Sequence, residues 1–362
     1  MNHGSTSVAK TNSRFIPFVP AYDGDRWKCK ETSNQEGVFY SFARYAIAEA
    51  LRSVPKRTGT VLMPALSCRA LVEAVLRSSN QPKFYDIQEN FKIGFNDIAT
   101  YLSDDIIAII AVSYFGWETV QIQDLAENVP DRIFCLVDCA QGLPLEAHNK
   151  IFDHVYSYRK TLGIPDGAVW ISRQFPSMIL QRNPQRKEPI WQREAYLIKM
   201  IGESKGSIEI THIEELLDER NHIRHNRDFN WSSAPPSELA RETWDEVDFE
   251  KIALARRENS KLYLSKLKDI PGVIIAFDQI PNNSSPLGFP IWVEDAEDFA
   301  KQLWKNGIES ARWWRELPIG KETFKFPNSD RASKCLVQLP VHQGLEPEDI
   351  QYVVDVIAAI VI

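Results

Sequence analysis

Asp138 closes the apolar run in "RIFCLVDCAQG", and Lys160 follows in "SYRKTLGIPDGAVWIS", just before a Pro165-Asp166-Gly167 turn. Burial at a strand end raises a carboxyl pKa, and a buried carboxylate is costly unless a cation meets it. A protonated pyridine nitrogen is one cation that fits. A lysine in a dry pocket sheds its proton readily and becomes a nucleophile able to form an imine. Together the two side chains are the least a protein supplies to pyridoxal phosphate chemistry. The carboxylate keeps the ring an electron sink, and the lysine holds the aldehyde. The phosphate needs donors as well. The helix that begins in "YSFARYAIAEAL" offers free N–H groups and the positive end of its dipole, and Ser157 adds a hydroxyl. Most lysines are solvated charges and an Asp at a strand end is common, so order and spacing carry the signal.

The elements that must position these residues alternate along the chain. "GTVLMP", "KFYDI", "DIIAIIAVSYFG", "RIFCLVDCAQG", "DHVYSYR" and "GAVWIS" read as strands. "CRALVEAVLRSS", "FNDIATYLS" and "IQDLAENV" between them have helical spacing. Continuous apolar strands separated by helices predict a mostly parallel, doubly wound sheet covered on both faces. Ligands in such sheets collect beyond the carboxyl ends of the strands, where Ser67, Ser113, Asp138, Gln141 and Ser157 fall. After Gln174 the pattern turns to long polar helices, with a break at "SSAPPSE". A long charged helix then leads into a smaller α+β region. The division expected is an N-terminal arm over 1–30, a large domain over 31–240 and a small domain over 241–362. The arm carries a Pro-bearing stretch, "FIPFVPAYDGDRW", that must dock on something.

Composition narrows the function classes. The 42 basic and 49 acidic residues leave a net charge of −7, which argues against general affinity for nucleic acid or anionic lipid. Five scattered cysteines without a CxxC pair point to neither a zinc site nor a disulfide framework. His212, His222 and His225 lack the acidic partners of a metal site, so no metal is expected. No apolar run is long enough to span a membrane, and a reducing cytoplasm is the simplest setting.

The motifs together resemble the DegT/DnrJ/StrS sugar aminotransferases, of fold type I in the aspartate aminotransferase superfamily. The resemblance runs over roughly 38–172 and 249–358. The family's helix start aligns with Phe42-Ala43-Arg44, its "VP…T" strand end with Met63 to Ser67, and "V-H-L-Y-G" with Val112 to Gly116. "E-D-A-A-Q" aligns with Val137 to Gln141, and "S-F-x-x-x-K" with Ser157 to Lys160, which is two residues shorter. The resemblance implies Lys160 as the imine lysine and Asp138 as the pyridine-nitrogen partner. It places Gln141 at the cofactor's phenolic oxygen, and Ser157, Ala43 and Arg44 at its phosphate. Cys68 stands where an aromatic normally stacks on the ring, Ser113 replaces a histidine, and the Asn-Tyr-Arg loop that reaches across the family's dimer has no clear match.

The fold so implied is a seven-stranded large domain plus a smaller C-terminal α+β domain, in a homodimer. The activity implied is transfer of an amino group from glutamate or glutamine to a keto sugar nucleotide. Small-molecule substrates are the expected partners. An amino-acid donor brings a carboxylate, for which Arg159, Arg312 and Arg315 are the cations to hand, with Trp313 as a substrate contact. Two other readings stay open: a pyridoxal phosphate-binding protein with little or no transaminase activity, and another pyridoxal phosphate reaction on an amino acid.

Overall fold

A computed structural model of the chain describes residues 14–21, 23–28, 37–55, 58–145, 151–173, 189–204, 210–229 and 235–361. Residues 1–13, 22 and 29–30 of the expected arm, with Cys29, lie outside them. The large sheet has seven strands. They are β1 (Val38–Tyr40), β2 (Thr60–Pro64), β3 (Gln81–Tyr85), β4 (Ile106–Val112), β5 (Phe134–Cys139), β6 (Asp153–Tyr156) and β7 (Ala168–Ile171). Their spatial order is β1-β7-β6-β5-β4-β2-β3. β2 to β6 pair in parallel, while β7 runs antiparallel to β6 and β1 antiparallel to β7.

The sequence pattern explains this order. β4, "IIAIIAV", is buried at every position, as a central strand covered on both faces must be. One face packs against the helices Ala43–Arg52 and Arg69–Arg77, through residues such as Ala46, Ala50 and Leu71. The other lies against Leu125 of the helix Ile122–Asn128 and against Trp244, Phe249 and Ile252. The small sheet is antiparallel, in the order β10 (Leu336–Pro340), β9 (Gly288–Trp292) and β8 (Ile274–Ile275). Against it pack the helices Ala296–Lys305 and Pro347–Val361.

Two features tie these layers together. The helix Phe249–Leu267 starts in the core beneath the large sheet, and Tyr263 and Leu267 near its end join the core shared with the small sheet. Midway along it, Arg256 is fully buried. Its guanidinium donates to Gln343 Oε1 at 2.9 Å, to the Pro286 carbonyl at 2.9 Å and to the Thr161 carbonyl at 2.8 Å. No carboxylate balances it among these partners, and burial pushes its pKa down to about 9. The second tie is the arm, which docks on its own chain. Ile16 exchanges backbone hydrogen bonds with Gly307 and Glu309, and the Phe18 amide donates to Glu309 Oε2 at 2.9 Å. Farther along, the Trp27 carbonyl accepts from Asp248.

Candidate active site

Asp138 and Cys139 end β5, and strand alternation sends their side chains to opposite faces. Asp138 faces a cleft lined by Ser67, Cys68, Gln141, Lys160, Trp313 and Trp314. Cys139 faces a larger cavity, of about 260 Å³, with Tyr156 and His154. Burial holds His154 neutral, with its pKa down to about 4, and no lysine lines that cavity. Size therefore misdirects here, and the imine chemistry belongs to the smaller cleft.

Lys160 sits in a single helical turn, Arg159–Leu162, directly beyond β6. Gly163 ends that turn at φ +69°, a conformation that favours glycine, and a Cβ there would run into the Pro20 carbonyl of the docked arm. The turn is held from behind by Arg256 on Thr161. The Pro-Asp-Gly turn is locked too, since Asp166 accepts from the Ser237 amide at 2.8 Å and its hydroxyl at 2.5 Å. Lys160 is thus presented from an immobilised backbone.

The electrostatics fit the expected pair. Lys160 keeps some exposure through the cleft, yet the protein atoms crowded around its amine pull its pKa below the ordinary lysine range. Cys68 and Asp138 oppose that shift, while Arg159 and Arg44 add to it. Burial raises the Asp138 carboxyl, against the pull of Lys160 and of the Ala140 amide, which donates to Oδ1 at 2.9 Å. Asp138 has no salt-bridge partner among the described residues, so its second oxygen can meet a ring N–H⁺. Gln141 Oε1 accepts from the Phe115 amide at 2.6 Å, at a residue held in left-handed backbone (φ 62°). That contact leaves the Gln141 NH₂ as the donor on the cleft wall, the polarity that a phenolate acceptor requires.

Anion contacts gather at one end of this arrangement. The helix Ala43–Arg52 begins after Phe42, which gives it no side-chain cap. Ser41, one residue earlier, is wholly buried with a hydroxyl that has no hydrogen-bond partner. Its carbonyl accepts from the Gly167 amide, and the Gly167 carbonyl accepts from the Arg159 amide, so the helix start lies against the Lys160 turn. The guanidinium groups of Arg44 and Arg159 stand 5.8 and 5.2 Å from the Phe42 ring centroid. Ser157 is buried, and its carbonyl accepts from the Lys160 amide. An orphaned hydroxyl, a helix start and Arg44 suit a phosphate dianion, with Arg159 as a second cation beside them, as the Asp138 and Gln141 contacts suit a pyridine ring. The residues present fit pyridoxal phosphate.

The structure thus brings Lys160, Asp138, Gln141, Ser157, Ala43, Arg44, Arg159, Cys68 and Trp313 to one region. It does not bring Arg312 and Arg315 to the cleft wall. Arg312 turns to Glu297, at 3.6 Å, and Arg315 is exposed. Ser113 donates to the Trp117 carbonyl at 2.8 Å and lines the larger cavity. Sequence reasoning missed Ser41, for which a serine just before an uncapped helix was the available signal.

The sequence profile of the DegT/DnrJ/EryC1/StrS aminotransferase family matches residues 38–157 and 247–358. The chain belongs to this family. It is a pyridoxal phosphate-dependent aminotransferase of the fold type I architecture. Solved structures share the fold at low identity. The aminotransferase TlmJ from Streptoalloteichus hindustanus is 15% identical over 89% of this chain and 84% of its own, with a TM-score of 0.62. The sugar aminotransferase CalS13 from Micromonospora echinospora is 17% identical over 89% and 86%, with a TM-score of 0.60. An E. coli GDP-4-keto-6-deoxy-D-mannose-3-dehydratase with bound hydrated PLP is 16% identical over 89% and 87%, with a TM-score of 0.61. No curated protein sequence matches the chain. Among the described residues no cluster could hold a metal ion, and no helix is long and apolar enough to cross a membrane.

Proposed function

We propose that this aminotransferase moves an amino group from glutamate or glutamine to a keto sugar nucleotide, with Lys160 and Asp138 as its catalytic residues. The observation that carries the reading is the meeting, in one cleft, of a lysine amine lowered by burial and a buried carboxylate without a salt bridge. Bound pyridoxal phosphate supplies the electron sink and carries the amino group between the two substrates. Asp138 holds the ring nitrogen protonated, and Gln141 donates to the phenolic oxygen. Ser41, Ser157, Arg44 and the first amides of the Ala43 helix bind the phosphate. Lys160 would hold the aldehyde, and its free amine would be the group that takes up and returns the proton at the substrate's α-carbon. Arg159 is the cation best placed for the donor carboxylate, because Arg312 already faces Glu297.

Three neighbours support the sugar substrate: CalS13 by its name, a DesI structure described in the presence of its TDP-sugar product, and the GDP-sugar dehydratase. In this reading the large domain of 31–240 carries the cofactor and the small domain of 241–362 closes over the substrate. A homodimer working in the cytoplasm completes it. Four described cysteines, all free, agree with a reducing compartment.

The reading makes a direct demand on the holoenzyme. Glutamate or glutamine alone should shift the cofactor's absorbance and release one equivalent of the matching 2-oxo acid. A keto sugar nucleotide should then restore the original spectrum. If no common amino acid alters the spectrum of firmly bound cofactor, the chain is a binder and not a transaminase.

The phosphate contacts have their own test. A charge-assisted hydrogen bond contributes about 1.5–3 kcal/mol. Arg44→Gln should therefore weaken pyridoxal phosphate binding about ten- to a hundredfold in an absorbance titration, while leaving the binding of pyridoxal, which lacks the phosphate, unchanged. Equal weakening of both would move Arg44 out of the phosphate site.

A further inference from the structure

The "ARWWRELP" segment divides its two tryptophans between different tasks. Trp314 is buried and meets Tyr114 and Phe115 edge-on, at ring-centroid distances of 5.3 and 5.7 Å. Those rings belong to the cleft's own frame. The Tyr114 hydroxyl donates to the Leu66 carbonyl at 2.7 Å, and the Phe115 amide holds Gln141. Anchored by Trp314, the segment delivers Trp313 over the cleft mouth, 39% exposed and backed edge-on by Phe18 of the docked arm. The Lys160 amine lies 5.3 Å from the Trp313 ring centroid. It makes no hydrogen bond or salt bridge to any described residue. An indole face is the best aromatic partner for an ammonium, and the contact strengthens as water is excluded.

The cleft is also nearly shut. The space enclosed by Cys68, Asp138, Gln141, Lys160 and the two tryptophans has a cavity volume of about 50 Å³. Cofactor and ligand sites usually run to about 300–1,000 Å³. Cys68 cannot be what fills it, for its side chain is small. Of the two indoles on the wall, Trp314 is buried and Trp313 is the exposed one.

We propose that Trp313 closes the cofactor cleft in the empty protein by holding the Lys160 ammonium on its indole face, and that cofactor loading expels it. The proposal rests on the reading of Lys160 as the cofactor lysine. Loading and release are coupled through the amine itself. The ammonium first gives its proton to solvent, Nζ then bonds to the cofactor's aldehyde carbon, and the aldehyde oxygen leaves as water. Each loading event therefore takes away the free ammonium that sat on the indole face and fixes Nζ to a ring that needs the space the indole closes. The other groups facing the amine pull both ways. Asp138 on β5 and Cys68 at the start of the Arg69 helix favour the charged form, while Arg159 on the same turn and Arg44 on the Ala43 helix disfavour it. Trp313 adds to the first side, so it both blocks the cleft and keeps the amine unreactive.

The test follows cofactor capture by stopped-flow absorbance, using the full chain stripped of cofactor and pyridoxal phosphate as the probe, from pH 6 to 9. Trp313→Ala should load about three- to thirtyfold faster than the parent at neutral pH. The midpoint of its pH–rate profile should fall by about half a unit to one unit. Trp313→Phe, with a weaker π face in the same place, should lie between the two and guards against a misfolded alanine variant. In the parent, loading should also change an indole emission component that Trp313→Phe lacks. Equal loading rates and midpoints in all three proteins, with Lys160 labelled by borohydride in each, would overturn the gate and leave the cofactor site standing. Absence of any label on Lys160 would overturn the cofactor reading, and the gate with it.

Discussion

Lys160→Arg is expected to lower transamination by about a thousandfold or more, because the same amine binds the aldehyde and shuttles the proton, and proton transfer alone commonly contributes 10²–10⁴. Arginine keeps the charge and much of the length but stays protonated at any working pH, so it can neither attack a carbonyl nor accept a proton. The variant thereby separates nucleophilicity from charge. Borohydride treatment of the parent holoenzyme should fix the cofactor to the peptide that carries Lys160, and the arginine variant should show no label there. The fold should survive the change, since the Lys160 side-chain amine makes no hydrogen bond or salt bridge to any described residue and its turn is held by Gly163 and Arg256. Label on a different lysine, or near-parental turnover in the variant, would remove Lys160 from the chemistry.

How much of this was legible in the sequence depended on how local the physics was. Six of the seven strands were readable because each is a short, mostly apolar run ending in Pro, Gly or a polar residue, and β4 is apolar at every position. β1, only Val38–Tyr40, is too short to stand apart from the helix that follows it and does not read as a strand. Asp138 and Lys160 were readable because a carboxylate closing a buried strand and a lysine before a glycine-bearing turn both leave local marks. The second arginine of the site was harder. Arg44 resembles any cation at a helix start, and only the fold lays it beside Arg159 on the Phe42 ring. The same limit misplaced Arg312 and Arg315. Proximity to two tryptophans suggested a substrate clamp, but the segment's path is set by Trp314 packing into Tyr114 and Phe115, which turns Arg312 toward Glu297. The arm was legible as something that docks, yet its partner, the Gly307–Glu309 segment almost 300 residues away, carries no mark in the sequence. Arg256 is the extreme case. It lies in a run of charges, "ALARRENSK", with nothing to distinguish it from Arg257, and it is the one that is fully buried.

Asp138→Asn is expected to improve the empty protein while damaging the loaded one. Burial is the dominant influence on this carboxyl and raises its pKa. Between the ordinary carboxylate pKa, about 3.9, and that raised value, the native chain retains a proton that the unfolded chain has released. Its contribution to stability is therefore favourable at low pH and is lost as pH rises through the window. At neutral pH an uncharged amide avoids burying a carboxylate that lacks a salt bridge, so the cofactor-free variant should be more stable by about 1 kcal/mol. That advantage should shrink as the pH falls through the raised carboxyl pKa, where the parent side chain becomes neutral too. Cofactor binding should move the other way. Losing a charge-assisted hydrogen bond of about 1.5–3 kcal/mol weakens affinity about ten- to a hundredfold, and a ring nitrogen no longer held protonated is a poorer electron sink. Thermal melts of empty and loaded protein across pH, read beside a cofactor titration, measure both halves. A variant that is destabilised when empty would show Asp138 to be an ordinary structural carboxylate. One that keeps parental affinity and turnover would show that no pyridine nitrogen meets it. The opposition between the two effects is itself the signature of a residue placed for a ligand, because a group chosen for the fold alone would not cost stability until that ligand arrives.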